Sequence, residues 1–153
     1  MDLYLLRHAE AGEAPHDEER RLTERGHRQA RAAAAGIAWL DLGLNAILTS
    51  PLPRAAQTAH PIGEALRMRL ESAPALATGR SPAEALALLT GRGDAVLLVG
   101  HEPQLSAIIQ AITGGRVHMR KAMLARLEVE SIDPPGGDLA WLLSWKHLER
   151  VGR

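Results

Sequence analysis

Ala95-Val96-Leu97-Leu98-Val99 is a continuous apolar run that ends at once in Gly100-His101. A strand with one wet face alternates apolar and polar residues, whereas an unbroken run of this length needs cover on both faces. Such strands belong to parallel sheets with helices packed above and below. Two other short apolar runs stop just as abruptly: Asp2-Leu3-Tyr4-Leu5-Leu6 at Arg7-His8, and Leu44 to Thr49 at Ser50-Pro51. Between them the period changes. After a polar loop from Glu10 to Arg21, Thr23 reads as a helix N-cap with Glu24 in the first turn. Ala30, Ala33, Ala34, Ile37 and Leu40 keep helical spacing to about Asp41. A second helix should start near Pro53, and Pro61 should kink or break it. Ser81-Pro82-Ala83-Glu84 is a capping box that opens a short helix to about Leu89. Pro103 starts a helix with Leu105, Ile108, Ile109 and Ile112 on one face, closed by Gly114-Gly115. Met123 to Glu130 and Leu139 to Ser144, with Pro134-Pro135-Gly136-Gly137 between them, read as an antiparallel hairpin. The expected fold is three-layer α/β/α, a mostly parallel sheet ending in that hairpin, over a single domain of residues 1–153.

Composition narrows the function classes. Eighteen basic residues meet eighteen acidic ones, and aromatics make up 3%, so neither a global pull toward nucleic acid nor a stacking platform is expected. No apolar run approaches the ~18 residues of a membrane span. No basic leader precedes the first strand, so neither a signal peptide nor a membrane partner is expected. The absence of cysteine excludes disulfides and thiolate chemistry and fits a cytoplasmic location.

In parallel α/β sheets, ligands bind beyond the carboxyl ends of the strands. Here those ends carry Arg7-His8, Ser50 through Arg54, and Gly100-His101, which should converge. Two imidazoles and two guanidiniums at one rim suggest a phosphoryl site. Arg meets phosphoryl oxygens with a rigid fork, and a neutral imidazole can attack phosphorus through a ring nitrogen. Positioning and charge stabilisation do most of the work in such transfers, so neither a metal nor a cofactor is expected. The chain also lacks the GxxxxGK[ST] phosphate loop and the HExxH pair.

Four segments carry a resemblance. Leu6-Arg7-His8-Ala9-Glu10-Ala11 is similar to the RHG signature of the histidine phosphatase (phosphoglycerate mutase-like) superfamily. Leu22-Thr23-Glu24-Arg25-Gly26 with Gln29-Ala30 resembles its LTxxGxxQA segment, Ser50 through Ala59 its SPxxRAxQTA segment, and Val99-Gly100-His101-Glu102-Pro103 its second-histidine motif. The small size and Lys121 to Leu127 resemble the compact SixA-type phosphohistidine phosphatase branch. The resemblance implies a phosphoglycerate mutase-like fold with His8 as the nucleophile. Arg7, Arg54 and His101 would hold the phosphoryl oxygens, His101 as a cation, and Ser50 would place a hydroxyl nearby. Thr23, Gln29 and Gln57 read as structural. His16, His27, His60, His118 and His147 read as surface or packing residues, and Arg20, Arg21, Arg25, Arg28 and Arg31 as a basic run on the first helix, either a solvated face or a docking surface for an acidic phosphoprotein.

Two departures stand out. Ala9 replaces the signature glycine and could not take a positive φ without strain. The insertion that supplies a carboxylic acid in larger members is minimal, since Leu70 to Asp94 holds only Glu71, Glu84 and Asp94. An alkoxide leaving group needs a proton, whereas imidazole leaves readily. The expected activity is therefore a metal-independent phosphohistidine phosphatase acting on a phosphorylated histidine protein of a phosphorelay or phosphotransfer system. A small-molecule phosphomonoesterase using Glu10, Glu13 or Asp17 as acid, and a weakly catalytic phosphoprotein-binding module, remain open alternatives.

Overall fold

A computed structural model describes residues 1–153. Six strands form one sheet: β1 (Asp2–Arg7), β2 (Ala46–Thr49), β3 (Leu70–Ser72), β4 (Ala95–Gly100), β5 (Leu124–Ile132) and β6 (Pro135–Leu143). Their order is β3-β2-β4-β1-β5-β6. The first four run parallel; β5 is antiparallel to β1, and β6 to β5. Every residue of central β4 is buried, as its unbroken apolar run requires.

The helices are α1 (Glu24–Leu40), α2 (Pro53–Leu66), α3 (Pro82–Ala87), α4 (Gln104–Thr113) and α5 (Trp145–Val151). Side chains alternate across a strand, and this parity sorts the core into two layers. Leu3, Leu5, Val96 and Leu98 pack with α3 and α4 through Leu86, Leu105 and Ile108. Tyr4, Leu6, Leu97 and Val99 pack with α1, α2 and α5 through Ile37, Ile62 and Leu148. The sheet thus lies between two helical layers, with the antiparallel pair at one edge. Thr23 caps α1 by accepting from the Gly26 N–H at 3.0 Å, and Ser81 with Glu84 closes the capping box of α3.

Some elements differ from the sequence reading. α2 continues unbroken through Pro61, with Ala59 and Ile62 buried on either side of it. Proline deletes one backbone bond there, and packing of the apolar face onto the sheet carries the helix across the gap. The hairpin strands are longer than expected: Ile132 pairs with Pro135, leaving Asp133-Pro134 as the turn, and Gly136 and Gly137 lie in β6. The edge strand β3 and helix α5 were not anticipated. α5 packs so tightly on α1 that a Cβ at Gly36 would lie 2.6–2.8 Å from Leu148. Arg20 and Arg21 precede α1 and do not belong to its basic face.

Candidate active site

Parallel pairing of β1 with β4 aligns Arg7 with Gly100, and the His8 N–H donates to the Gly100 carbonyl at 3.0 Å. His8 and His101 are each the next residue after their strand. Both continue the parity of Leu6 and Val99, so they stand side by side on the α1/α2 face. Their ring centroids are 5.1 Å apart, inclined at 52°, and both side chains are buried.

His8 Nδ1 lies 2.7 Å from the Ala9 carbonyl. A carbonyl only accepts, so the ring proton sits on Nδ1 and Nε2 keeps its lone pair. Burial lowers the ring's pKa to about 3, and the charges of His101, Arg54 and Arg7 add to the effect against the Ala9 hydrogen bond. A neutral imidazole with a free Nε2 can act as a nucleophile at physiological pH. The backbone around it is pinned. The Ala9 N–H donates to Thr58 Oγ1 at 3.0 Å, and that hydroxyl donates to the Arg54 carbonyl one turn earlier in α2 at 2.7 Å. Ala9 does not adopt a positive φ, so alanine fits where a glycine is usual, buried beside Leu22, Ala30 and Ala122.

His101 Nε2 meets Ser50 Oγ at 2.7 Å, and Ser50 Oγ also accepts from the Leu52 N–H at 3.2 Å. With the Ser50 hydroxyl donating to Nε2, the ring proton lies on Nδ1, a donor with no partner in the protein. Burial lowers the His101 pKa to about 4, with the Arg54 charge next and Asp17 opposing it. Burial thus favours the neutral His101 ring near pH 7 in the protein alone. A dianion beside it would raise that pKa.

Arg54, the second residue of α2, is buried. Its guanidinium donates to the Asp17 carbonyl at 2.7 Å and to Asp17 Oδ2 at 2.9 Å. A cation at a helix start opposes the helix dipole, and here the Asp17 carboxylate offsets it. Arg7 donates to the Met119 carbonyl at 2.9 Å. Met119 N–H in turn reaches Ser106 Oγ at 3.2 Å, and that hydroxyl donates to Glu102. Five buried side-chain polar atoms in the chain lack a partner, and three of them are Arg7 Nε, Arg54 Nε and His101 Nδ1. Buried donors are ordinarily satisfied, so two guanidiniums and an imidazole with an unpartnered nitrogen, gathered near the His8 ring, are an arrangement that can take up an anion.

The three carboxylates considered as acids fare differently. Arg54, then Arg20, hold Asp17 below the usual carboxylate range. The Thr23 hydroxyl at 2.9 Å and Arg25 at 2.9 Å do the same for Glu10. Both carboxylates are thus engaged by partners within the protein, and Glu13 is exposed with nothing to aim it. Gln29 and Gln57 have structural roles, since their side-chain carbonyls accept from the Glu10 and Leu22 N–H groups at 2.8 Å and pin both ends of the loop. Gly26 is required for close approach, because a Cβ there would sit 2.0 Å from the Glu10 carbonyl oxygen. The other five histidines are exposed, and no group of three or more His, Cys, Asp or Glu side chains forms that could hold a metal ion. Thr58, Ser106 and Glu102 were missed as positioning groups. Thr58 lies four residues after Arg54, and Ser106 four after Glu102, the one-turn spacing that could have found them.

The profile of the histidine phosphatase superfamily (branch 1) matches residues 3–78. An uncharacterized protein of Picosynechococcus sp. is 33% identical over 137 residues, covering 80% of this chain and 81% of that one. Among solved structures, the protein histidine phosphatase SixA complexed with tungstate superposes with a TM-score of 0.84 at 24% identity, over 97% of this chain and 99% of that chain. A candidate phosphohistidine phosphatase SixA from Agrobacterium tumefaciens gives 0.80 at 26%, over 94% and 97%. A phosphoserine phosphatase from Entamoeba histolytica complexed with phosphoserine shares the fold, at 0.75 and 17%, over 96% and 98%.

Proposed function

Because the chain belongs to the histidine phosphatase superfamily and is a phosphatase, we propose that its substrate is a phosphohistidine on a protein, of the kind that phosphorelay and phosphotransfer systems carry in the cytosol. His8 Nε2 attacks phosphorus, forming a P–N bond as the bond to the substrate imidazole breaks. That ring, protonated from solvent on its other nitrogen, departs as neutral imidazole. Water then attacks phospho-His8, releasing phosphate and restoring the neutral ring. Arg7, Arg54 and the Nδ1–H of His101 hold the phosphoryl oxygens, and Ser50 fixes the His101 tautomer.

One observation carries the choice of substrate. Of the three carboxylates near enough in sequence to protonate a leaving group, Glu10 is engaged by Thr23 and Arg25, Asp17 is engaged by Arg54, and Glu13 is exposed with nothing to aim it. An alkyl ester needs a proton on its leaving oxygen, while imidazole departs without help from the protein. The match to a candidate SixA at 26% identity points the same way.

The test is a substrate panel: a histidine-phosphorylated protein, phosphoramidate, an aryl phosphate and alkyl phosphates. The reading requires kcat/KM to fall in step with leaving-group quality, with alkyl phosphates slowest. Efficient alkyl phosphate turnover with a bell-shaped pH profile would overturn it in favour of a small-molecule phosphomonoesterase.

A further inference from the structure

A groove of about 650 Å3 is lined by Arg7 at one side and by Ser144, Trp145 and Lys146 at the start of α5. Five cations line it: Arg7, Arg25, Arg120, Lys121 and Lys146. Its one carboxylate, Glu10, is already paired with Arg25. Arg120, Lys121 and Lys146 have no carboxylate partner within ion-pair distance anywhere in the chain. This concentration is local, because the whole chain balances eighteen basic against eighteen acidic residues. Trp145 organises it, with the Arg25 guanidinium 5.8 Å and Lys146 Nζ 6.0 Å from the ring centre.

We propose that this groove docks an acidic surface of the phosphorylated protein, beside the phosphohistidine presented to His8. The inference rests on the phosphohistidine reading above and adds the partner's chemistry. A pocket for a drug-sized molecule is lined mostly by apolar side chains with a few polar groups. Only two of the eleven residues here are hydrophobic. A wall with unpaired cations, Arg120 and Lys146 exposed and Lys121 half-exposed, instead matches the rim of a protein interface, where charge steers encounter and sets register. Sharing Arg7 ties the groove to the reacting centre. A partner seated along it would lower its phosphohistidine toward the orphaned nitrogens of Arg7, Arg54 and His101.

Two synthetic peptides, each with one phosphohistidine flanked by glutamates in one and lysines in the other, test this against phosphoramidate, which has no flanks. The full chain is compared with the R120E/K146E double variant. The acidic peptide should be preferred about tenfold or more at low salt. That preference should lie mainly in KM and vanish in high salt and in the variant, while phosphoramidate turnover stays unchanged as the control for folding. Equal turnover of the two peptides, or a preference that survives in the variant, would overturn the inference alone. So would a preference for a small carboxylate-bearing phosphate over the acidic peptide. Turnover of none of the three substrates would overturn the phosphohistidine reading and this inference with it.

Discussion

Lowering the pH from 7 to 5 should destabilise this protein more than its carboxylates can explain. An unfolded histidine takes up a proton as pH falls through about 6.5. Folded His8 and His101 resist until about 3 and about 4. Across the window the unfolded state therefore binds more protons than the native one, and stability falls as pH falls. Integrating gives a loss of about 2 kcal/mol for each ring and about 4 kcal/mol for the pair between pH 7 and 5. That is a large share of a typical 5–15 kcal/mol folding free energy, taken as roughly the range for small domains. Asp17 and Glu10 sit below the usual carboxylate range, so their contribution is lost only at lower pH. Urea denaturation at pH 7, 6 and 5 reads the slope directly. His8→Asn should flatten it by about half, whatever it does to stability at pH 7. An identical slope in parent and variant would refute the idea that burial keeps this ring neutral.

Three further changes probe the supports of the site. Gly26→Ala drives a methyl against the Glu10 carbonyl oxygen, so it should cost about 1–3 kcal/mol by denaturant titration and slow turnover by shifting the loop after His8. Ser50→Ala removes the hydroxyl on His101 Nε2, and kcat/KM should drop roughly tenfold while the fold, followed by circular dichroism, is unaltered. Thr58→Val strands the buried Ala9 N–H, with an expected loss of about 1–3 kcal/mol in denaturation.

Much of this architecture was readable because it rests on short-range rules. The two-sided burial of β4 follows from Ala95 to Val99, and the two histidines follow from residues one step past Leu6-Arg7 and Val99-Gly100. What escaped depends on distant approach. β3 has a single apolar residue, Leu70, and is a strand because it pairs with Ile47 to Thr49. α5 is seven residues long, too short to form on intrinsic propensity, and is held where Leu148 meets Gly36. The role of Asp17 was invisible for the same reason: its partner Arg54 lies 37 positions away. Local sequence makes Asp17 an available acid, and only the folded loop makes it a counter-ion. Pro61 shows the converse, a local rule outweighed by the packing of α2 on the sheet.

The decisive measurement is acid-quench-free trapping of the enzyme during turnover of phosphoramidate, followed by phosphorus NMR and peptide mapping under alkaline conditions that preserve a P–N bond. One phosphoryl group should appear on the Nε2 atom of His8, and His8→Ala should neither carry it nor turn over substrate. Label on His101, or full turnover in the alanine variant, would contradict the mechanism at its root.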